Sequence, residues 1–537
     1  MLERWRAVAL AAVVLQIPFE LRFTLFGLSN LKWTFIALVL ISMPVILRNW
    51  RELASDRLVQ AAALFVAIQW IAAAYAPDFH INAFKAATRF SAGLLLLALA
   101  RLSDRPESIS RTWIIASGIA AAYALLSYAG FGSRWPFRTE EFYIGQIQRL
   151  SGSFEYPNTA AAYFAMSLPI VWWSSVRRVL KWTIAFLLWC SIVLTLSKGA
   201  LVAVPLVVLC AAFFSGSRLA RLRTAAELVA IGVAAYIVLL PLNPYLAERI
   251  NGPSVQNPIA AEYQTPWNYI QQQPEAKDQI LLHIRNTGIT KWRSEGLQSI
   301  GVSYRWWNME TEKFLKIRPL ITKLPRDVGR DETVEVPTAF QTPSEPGTYV
   351  LVVELFGHDL DWFSQTGVKP ALIQADIQPG IAKSVGHTDL SALYRKGQTV
   401  GSLTASVPRS SLWRAAAKMF LDHPFGVGPD NFRLEYGKYL GASRWDTHIY
   451  SNNLYLELLT GSGLVGLAAF GFLMSSIRWR LDPPCLAVAI FLIHGLVDVF
   501  LMTTPIYFGF WLLLGMREEV TMRSPATPPV WSGREGF

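Results

Sequence analysis

Several stretches of the chain set ionisable or hydrogen-bonding side chains against long apolar runs. In DTHIYSNNLYLELLTGSGLVGL, residues 446–467, His448, Asn452 and Asn453 stand just before a run that is nearly all Leu, Tyr, Gly, Val and Ala. An imidazole titrates near neutral pH and suits accepting a proton from an attacking group; the plainer role is a helix-entry histidine bonded to backbone. Asn452 is placed to cap the following helix, and either asparagine has the chemistry to bond hydroxyl groups instead. Lys198 closes a short turn between two apolar runs, and Arg149 sits immediately before another. A charge at such a place is costly unless it serves a partner, although a lysine can also snorkel to the interface. Arg149 has Glu140, Glu141 and Glu155 as alternative structural partners. Arg409 and Arg414 lie in PRSSLWRAAAKMFLDHP; on a continuous helix they diverge by roughly 140°, so only one can face a given site. Arg409 is the preferred one.

The elements that must position these groups are membrane helices. The chain has 537 residues, 53% hydrophobic and only 16% charged, against nearer a quarter charged in soluble proteins. Its apolar residues cluster into runs long enough to cross about 30 Å of hydrocarbon. About twelve spans are expected, near 7–20, 31–47, 59–76, 87–100, 112–130, 158–174, 180–196, 199–214, 225–241, 452–474, 485–500 and 504–516. The fold class expected is therefore membrane all-α, a polytopic bundle of about 12 transmembrane helices. The first span has no convincing cleavage site and reads as a retained anchor. Cys190, Cys210 and Cys485 fall within spans and read as small buried apolar residues. The net charge of +11 is explained by basic cytoplasmic loops, with no nucleic acid implied.

Those loops alternate. Arg48, Arg51 and Arg57; Arg101, Arg105 and Arg111; Arg177, Arg178 and Lys181; Arg218, Arg221 and Arg223; and Arg478 and Arg480 fall on one side. The opposite loops are poorer, with Arg22 and Lys32, Lys85 and Arg89, or Lys198 alone, except the one carrying Arg134, Arg138 and Arg149. The positive-inside rule then puts both termini in the cytoplasm and the long segment 242–450, with His448, outside it.

That segment is not uniform. Over 275–380, DQILLHIRN, QSIGVSYRWWN, ETVEVPTAF and GTYVLVVELFG alternate with period two between turn-forming stretches, which predicts an antiparallel β-sandwich. Trp292, Trp306, Trp307, Trp362 and Phe363 are expected in its core, with a sugar-stacking platform as the alternative. The division expected is nine spans over 1–241, a linker 242–274, the sandwich 275–380, a helical loop 381–451, three spans over 452–516, and a cytoplasmic tail 517–537. The loop helix should present Leu412, Ala415, Ala416, Met419 and Phe420 on one face, capped by Ser410 or Ser411. Asp430 and Asn431 read as turn formers, and Asp498 as a structural carboxylate paired with His494 four residues earlier.

Four motifs occur in one order: RLSGSFEYPNTAAAYFAMSLP (149–169), TLSKGA (195–200), SLWRAAAKMFLDHPFGVGPDNF (411–432) and HIYSNNLYLELLTGSGLVGL (448–467), followed by HGLVDVFLMTTPIYFGFWLLLG. Over roughly 140–241 and 400–516 the chain resembles the O-antigen ligase and polymerase superfamily, and its insert resembles immunoglobulin-like modules of envelope proteins. The resemblance implies a glycosyltransferase of the bacterial inner membrane, active on the periplasmic face and needing no metal or other cofactor. Its donor would be a polyprenyl-diphosphate-linked glycan and its acceptor lipid A–core or a growing glycan, with membrane lipids as surroundings. Arg409 and Lys198 would then hold the donor diphosphate and His448 act on the acceptor. Arg149, Arg414, Asn452 and Asn453 would bind substrate. Two positions depart from the family pattern: Lys198 stands where an arginine is common, and Asn452 where a histidine commonly precedes the asparagine. A protein O-oligosaccharyltransferase of the same superfamily, or a flippase for lipid-linked oligosaccharides, are the alternative readings. A flippase would carry charges along several central spans, whereas here they gather at one face.

Overall fold

A computed structural model of the chain describes residues 2–103, 105–131, 136–137, 142–144, 147–213, 218–241, 246, 260–288, 291–295, 299–311, 313–315, 320–357, 361–366, 368–390, 402–403, 407–442 and 444–516. Arg134, Arg138, Glu140, Glu141, most of the linker 242–259 and the tail from residue 517 lie outside the described residues.

The first half is helical: α1 (Leu2–Gln16), α2 (Asn30–Arg48), α3 (Trp50–Ser55), α4 (Arg57–Ala74), α5 (His80–Arg101) and α6 (Pro106–Tyr128). A hairpin of β1 (Phe142–Ile144) and β2 (Ile147–Arg149) follows, then α7 (Pro157–Trp172), α8 (Arg178–Thr195), α9 (Lys198–Phe213) and α10 (Arg218–Leu239). After the β region come α11 (Arg409–Asp422), α12 (Phe432–Tyr439), α13 (Leu454–Ser475), α14 (Pro483–His494) and α15 (Thr504–Gly515). Among the described residues, seven helices are long and apolar enough to cross a membrane: α2, α4, α5, α6, α8, most of α10, and α13. The chain is a polytopic membrane protein. The expected count of about twelve is not reached by length, because α1 and α7, at 15 and 16 residues, and α9, α14 and α15 are too short. The run read as a span over 485–500 is helical only to His494, beyond which Gly495 and the following residues leave the helix.

At the centre of the bundle is α7. Pro157 opens it without wasting a donor, and every side chain from Thr159 to Trp172 is buried. Ala160, Ala161, Ala162 and Ala165 keep its surface low, which lets α6, α8, α9, α14 and α15 pack directly against it. Trp113 of α6 stacks on Tyr163 and donates its indole N–H to Ser167 Oγ at 2.8 Å.

Helix α13 breaks at Ser462 and Gly463, whose backbone angles are non-helical. The break leaves carbonyls that need donors, and the turn after α11 supplies them: Val427 N–H bonds Thr460 O at 2.8 Å and Gly428 N–H bonds Gly461 O at 2.9 Å. Glycine is required on both sides. Gly426, Gly428 and Gly463 have φ of 92°, 97° and 67°, and a Cβ on Gly463 would lie 2.3 Å from Pro424 O.

The β region is wider than expected from the sequence. Strands β5 (Lys277–Asn286), β6 (Ile300–Asn308), β9 (Thr333–Gln341) and β10 (Gly347–Gly357) follow the four alternating stretches. Strands also occur at β3 (Ala261–Gln264) and β4 (Tyr269–Gln272), inside the expected linker, at β7 (Lys313–Phe314), β8 (Thr322–Lys323), β11 (Asp361–Trp362) and β12 (Ala371–Ile377), and at β13 (Ser384–Gly386) past residue 380. One sheet runs β13-β4-β12-β10-β6-β7, with β11 on β10 and β8 on β6; the second runs β3-β5-β9. Most pairs are antiparallel, but β4 and β12 are parallel. Apolar side chains of both sheets meet in one core containing Ile280, Val336 and Phe340 from one and Trp306, Leu351 and Ile373 from the other. Trp292, Trp306 and Phe363 are buried there, whereas Trp307 and Trp362 are only half-buried. Trp362 covers the Arg305 guanidinium at 4.3 Å, and Phe314 covers it at 4.5 Å. A parallel pairing of β14 (Ser402–Leu403) with β15 (Arg444–Trp445) ties the end of this region to the loop before α13.

Helix α11 buries Leu412, Ala415, Ala416 and Met419, with Phe420 half-buried beside them. Its N-cap is Pro408 and makes no side-chain cap bond, so Ser410 and Ser411 lie inside the helix instead of capping it. Of the three cysteines, Cys190 is buried, Cys485 half-buried and Cys210 exposed; Cys210 lies on the outer surface of an apolar helix and is not packed inside.

Candidate active site

Arg149 ends β2 and leans across the bundle. Its Nε donates to Thr195 O at 2.8 Å, a carbonyl in the last turn of α8, and its Nη2 donates to Asn158 Oδ1 at 2.6 Å. Asn158, in the first turn of α7, passes the contact on: its Nδ2 donates to Asp498 Oδ2 at 2.6 Å. Asp498 is 9% exposed and takes the Val499 N–H on its other oxygen at 2.9 Å. The expected pairing of Asp498 with His494 does not form. The helix ends at His494, so the four-residue spacing no longer puts the two on one face.

His494 turns to Ser197, whose Oγ lies 3.2 Å from Nε2. Gly199 makes room for the imidazole, since a Cβ there would come within 2.5 Å of Cδ2. Between Ser197 and Gly199, Lys198 opens α9 after a left-handed turn at Leu196, φ 57°. The guanidinium of Arg409, at the start of α11, acts electrostatically on both Asp498 and His494. Asn453 is the N-cap of α13: its Oδ1 accepts from Tyr455 N and Leu456 N, and its Nδ2 donates to Leu496 O at 2.8 Å. Next to it, Leu454 N–H bonds Gly495 O at 2.7 Å.

Arg149, through Asn158, and Asn453 thus reach one irregular segment, residues 495–498, where Arg409 acts on Asp498 through its charge, and Lys198 follows Ser197, the partner of His494. Asn452, expected as a cap, instead takes a left-handed conformation with φ 51° and turns the chain into the helix. His448 is set apart. Its side chain is 80% exposed, and Asp446 Oδ1 holds both its backbone N–H at 2.8 Å and its Nδ1 at 3.0 Å. Arg414 is exposed and bonds Ser411 Oγ, on a different face of α11 from Arg409.

Two sets of residues were not singled out from sequence. Asn158 stood in a quoted motif, and its position after a helix-opening proline beside Arg149 was the available signal. The other set surrounds Arg433, which pairs with Asp430 at 3.0 Å, donates to Asn82 Oδ1 and Thr447 O, and lies 6.0 Å from the Tyr450 ring. Burial pushes the Tyr450 phenol well above its ordinary value. Asp430 and Asn431 do more than turn the chain: Asn431 is fully buried and bonds Asp78 O and Val427 O. The contacts with Asn82 and Asp78 join residues more than 340 apart, a relationship that local pattern does not carry.

A small crevice of about 20 Å³ is lined by Glu20, Ser153, Phe154, Glu155, Thr159, Thr503 and Pro505. Thr159 follows Asn158, so the crevice adjoins the Arg149–Asp498 chain. Among the described residues no three His, Cys, Asp or Glu side chains are grouped to hold a metal ion.

Residues 377–471 match the family model described as O-antigen ligase. The search of curated proteins found no match. The matched segment runs from the end of β12 to near the end of α13 and holds Arg409, Arg414, His448, Asn452 and Asn453. Over that segment the chain is similar to the O-antigen ligase family.

Proposed function

We propose that the chain transfers a glycan from a polyprenyl diphosphate to an acceptor hydroxyl on the periplasmic face of the inner membrane, as a ligase to lipid A–core or as a polymerase of repeat units. The observation that carries this reading is the hydrogen-bonded path Arg149–Asn158–Asp498, with the Arg409 charge acting on the same carboxylate. In the reaction the acceptor oxygen bonds the anomeric carbon and the carbon–oxygen bond to the diphosphate breaks. The electron pair leaves on the diphosphate, where fixed cations stabilise the growing charge. Asp498 and Asn158 hold Arg149 in place, so it need not reorganise as charge develops.

The acceptor's proton goes to His448. Asp446 fixes the imidazole through Nδ1, and its wide exposure suits an acceptor as large as a glycan. We read the two-sheet region as the immunoglobulin-like insert, carried outside the membrane with the loop.

The test is transfer by the purified chain in liposomes from a polyprenyl-diphosphate glycan. Product must form in step with released polyprenyl diphosphate; donor that crosses the bilayer without bond cleavage would favour a flippase instead. In cells lacking the gene, loss of all polymer on lipid A–core indicates a ligase, and single-repeat caps a polymerase.

A further inference from the structure

Helix α11 and the turn after it leave large apolar side chains uncovered by the rest of the described chain. Leu421 is 74% and Phe425 79% exposed, and Trp413 nearer the start is 36% exposed. Both ends of this stretch are fixed against α13. Trp413 donates its indole N–H to Ser451 O at 3.1 Å, just before α13 begins. At the other end Gly463 packs on the backbone of Pro424 and Phe425 so closely that a Cβ would meet Pro424 O at 2.3 Å. The α11 helix therefore runs beside the first half of α13, with Phe425 level with the break at Gly463.

That level is inside the membrane. From Gly463 to the end of α13 at Ser475 the helix rises about 18 Å, of the about 30 Å of hydrocarbon a span must cross. The basic Arg478 and Arg480 follow on that side. Gly463 then lies on the order of 10 Å below the opposite surface. Leu464 and Val465, beside it on this spanning helix, are 61% and 54% exposed and face lipid. Leu421 and Phe425 extend the same stripe. Lys418 and Arg414, one and two turns nearer the surface, are exposed where long cationic side chains reach headgroups. Exposed Asp422, within electrostatic reach of Tyr439, and half-buried His423 lie between the two apolar residues.

We propose that the end of α11 and the turn 424–429 form a membrane-inserted wedge, with Leu421 and Phe425 immersed in the acyl chains of the bilayer. The loop is thus anchored at the depth of the α13 break, which sets the height of Arg409 at the other end of the helix. The inference rests on α13 spanning the membrane, not on the reaction.

Nitroxide labels test it in the full chain with Cys190, Cys210 and Cys485 changed to serine, in nanodiscs of phosphatidylethanolamine and phosphatidylglycerol. Labels are placed through Leu421→Cys and Phe425→Cys, with Leu464→Cys as the lipid reference and Lys277→Cys as the aqueous one. Collision with oxygen relative to a water-soluble nickel chelate should match Leu464 and exceed Lys277 several-fold. A ratio like that at Lys277, or exclusion of both reagents as under a second copy of the chain, overturns the wedge. The unmodified chain gives a second reading: a phospholipid with a diazirine in its acyl chain should label 421–425 as it labels 464–465. Labelling of 464–465 alone also overturns it.

Discussion

Asn158 and Asp498, 340 positions apart in the chain, share a 2.6 Å hydrogen bond that closes a path from Arg149 to the irregular segment between α14 and α15. An amide is the right group for this position, because it accepts from the guanidinium with one atom and donates to the carboxylate with another.

Asn158→Ala should therefore release Arg149 from Asp498 and slow transfer by about 10- to 100-fold, the usual cost of losing orientation in a reacting geometry. Asn158→Asp should do worse than alanine, since it sets two carboxylates at bonding distance and one must take a proton. Transfer rates of the purified variants decide this. Equal rates for wild type and Asn158→Ala would remove Arg149 and Asp498 from the mechanism.

The glycines at the α13 break predict a structural effect. Gly428→Ala and Gly463→Ala each force a side chain into a left-handed conformation and against neighbouring atoms. Each should cost roughly 1–3 kcal/mol or more from backbone strain alone. Gly471→Ala, where nothing lies within 4 Å of the added carbon, should be neutral or slightly stabilising. Thermal unfolding in detergent separates the two classes.

How much of this was legible from sequence differs by distance along the chain. The strand at Gly347–Gly357 was read to the residue, because alternation and flanking turns are local signals. The buried face of α11 was read for the same reason. Asp498 was misread because a helical spacing was applied past the end of a helix, and no local signal marks the stop at His494 except the glycine after it. Asn453, not Asn452, became the cap because the chain needed a left-handed residue first, a choice set by how Leu454 and Asn453 meet Gly495 and Leu496. Arg433 was missed altogether. Its partner Asn82 lies 351 residues away, and only the folded chain brings them together.

In the β region, Arg305 and Glu354 form an ion pair at 2.5 Å with the carboxylate fully buried. Arg305→Ala should destabilise by about 3–5 kcal/mol, because it leaves an unpaired buried charge. Burial pushes the Glu354 carboxyl up, against the pull of Arg305 and of Ser364. With a raised value in the folded state, the native protein holds this proton more tightly than the unfolded chain. Stability is therefore lost as pH rises from the ordinary carboxylate range through the raised one. The Arg305→Ala penalty should be larger at pH 8 than at pH 5, and Glu354→Gln should abolish that difference. Unfolding midpoints at the two pH values measure it.

The last prediction concerns the two halves of the proposed reaction. Lys198→Ala should lower transfer by about 10² to 10³, the usual effect of removing one stabilising contact to developing charge. Lys198→Arg should keep much of the rate, because the cation survives at the head of α9. His448→Ala removes the proposed proton acceptor, a loss of about 10² to 10⁴ for general base catalysis. Asp446→Asn should be milder, since the imidazole stays in place but its Nδ1 loses the carboxylate that orients it. The halves separate by acceptor: a pre-ionised or more acidic acceptor hydroxyl should restore His448→Ala but not Lys198→Ala. If both alanine variants transfer at near wild-type rates, the diphosphate is held elsewhere and the proton leaves by another group. Glu155 in the crevice beside Asn158 is then the first carboxylate to replace.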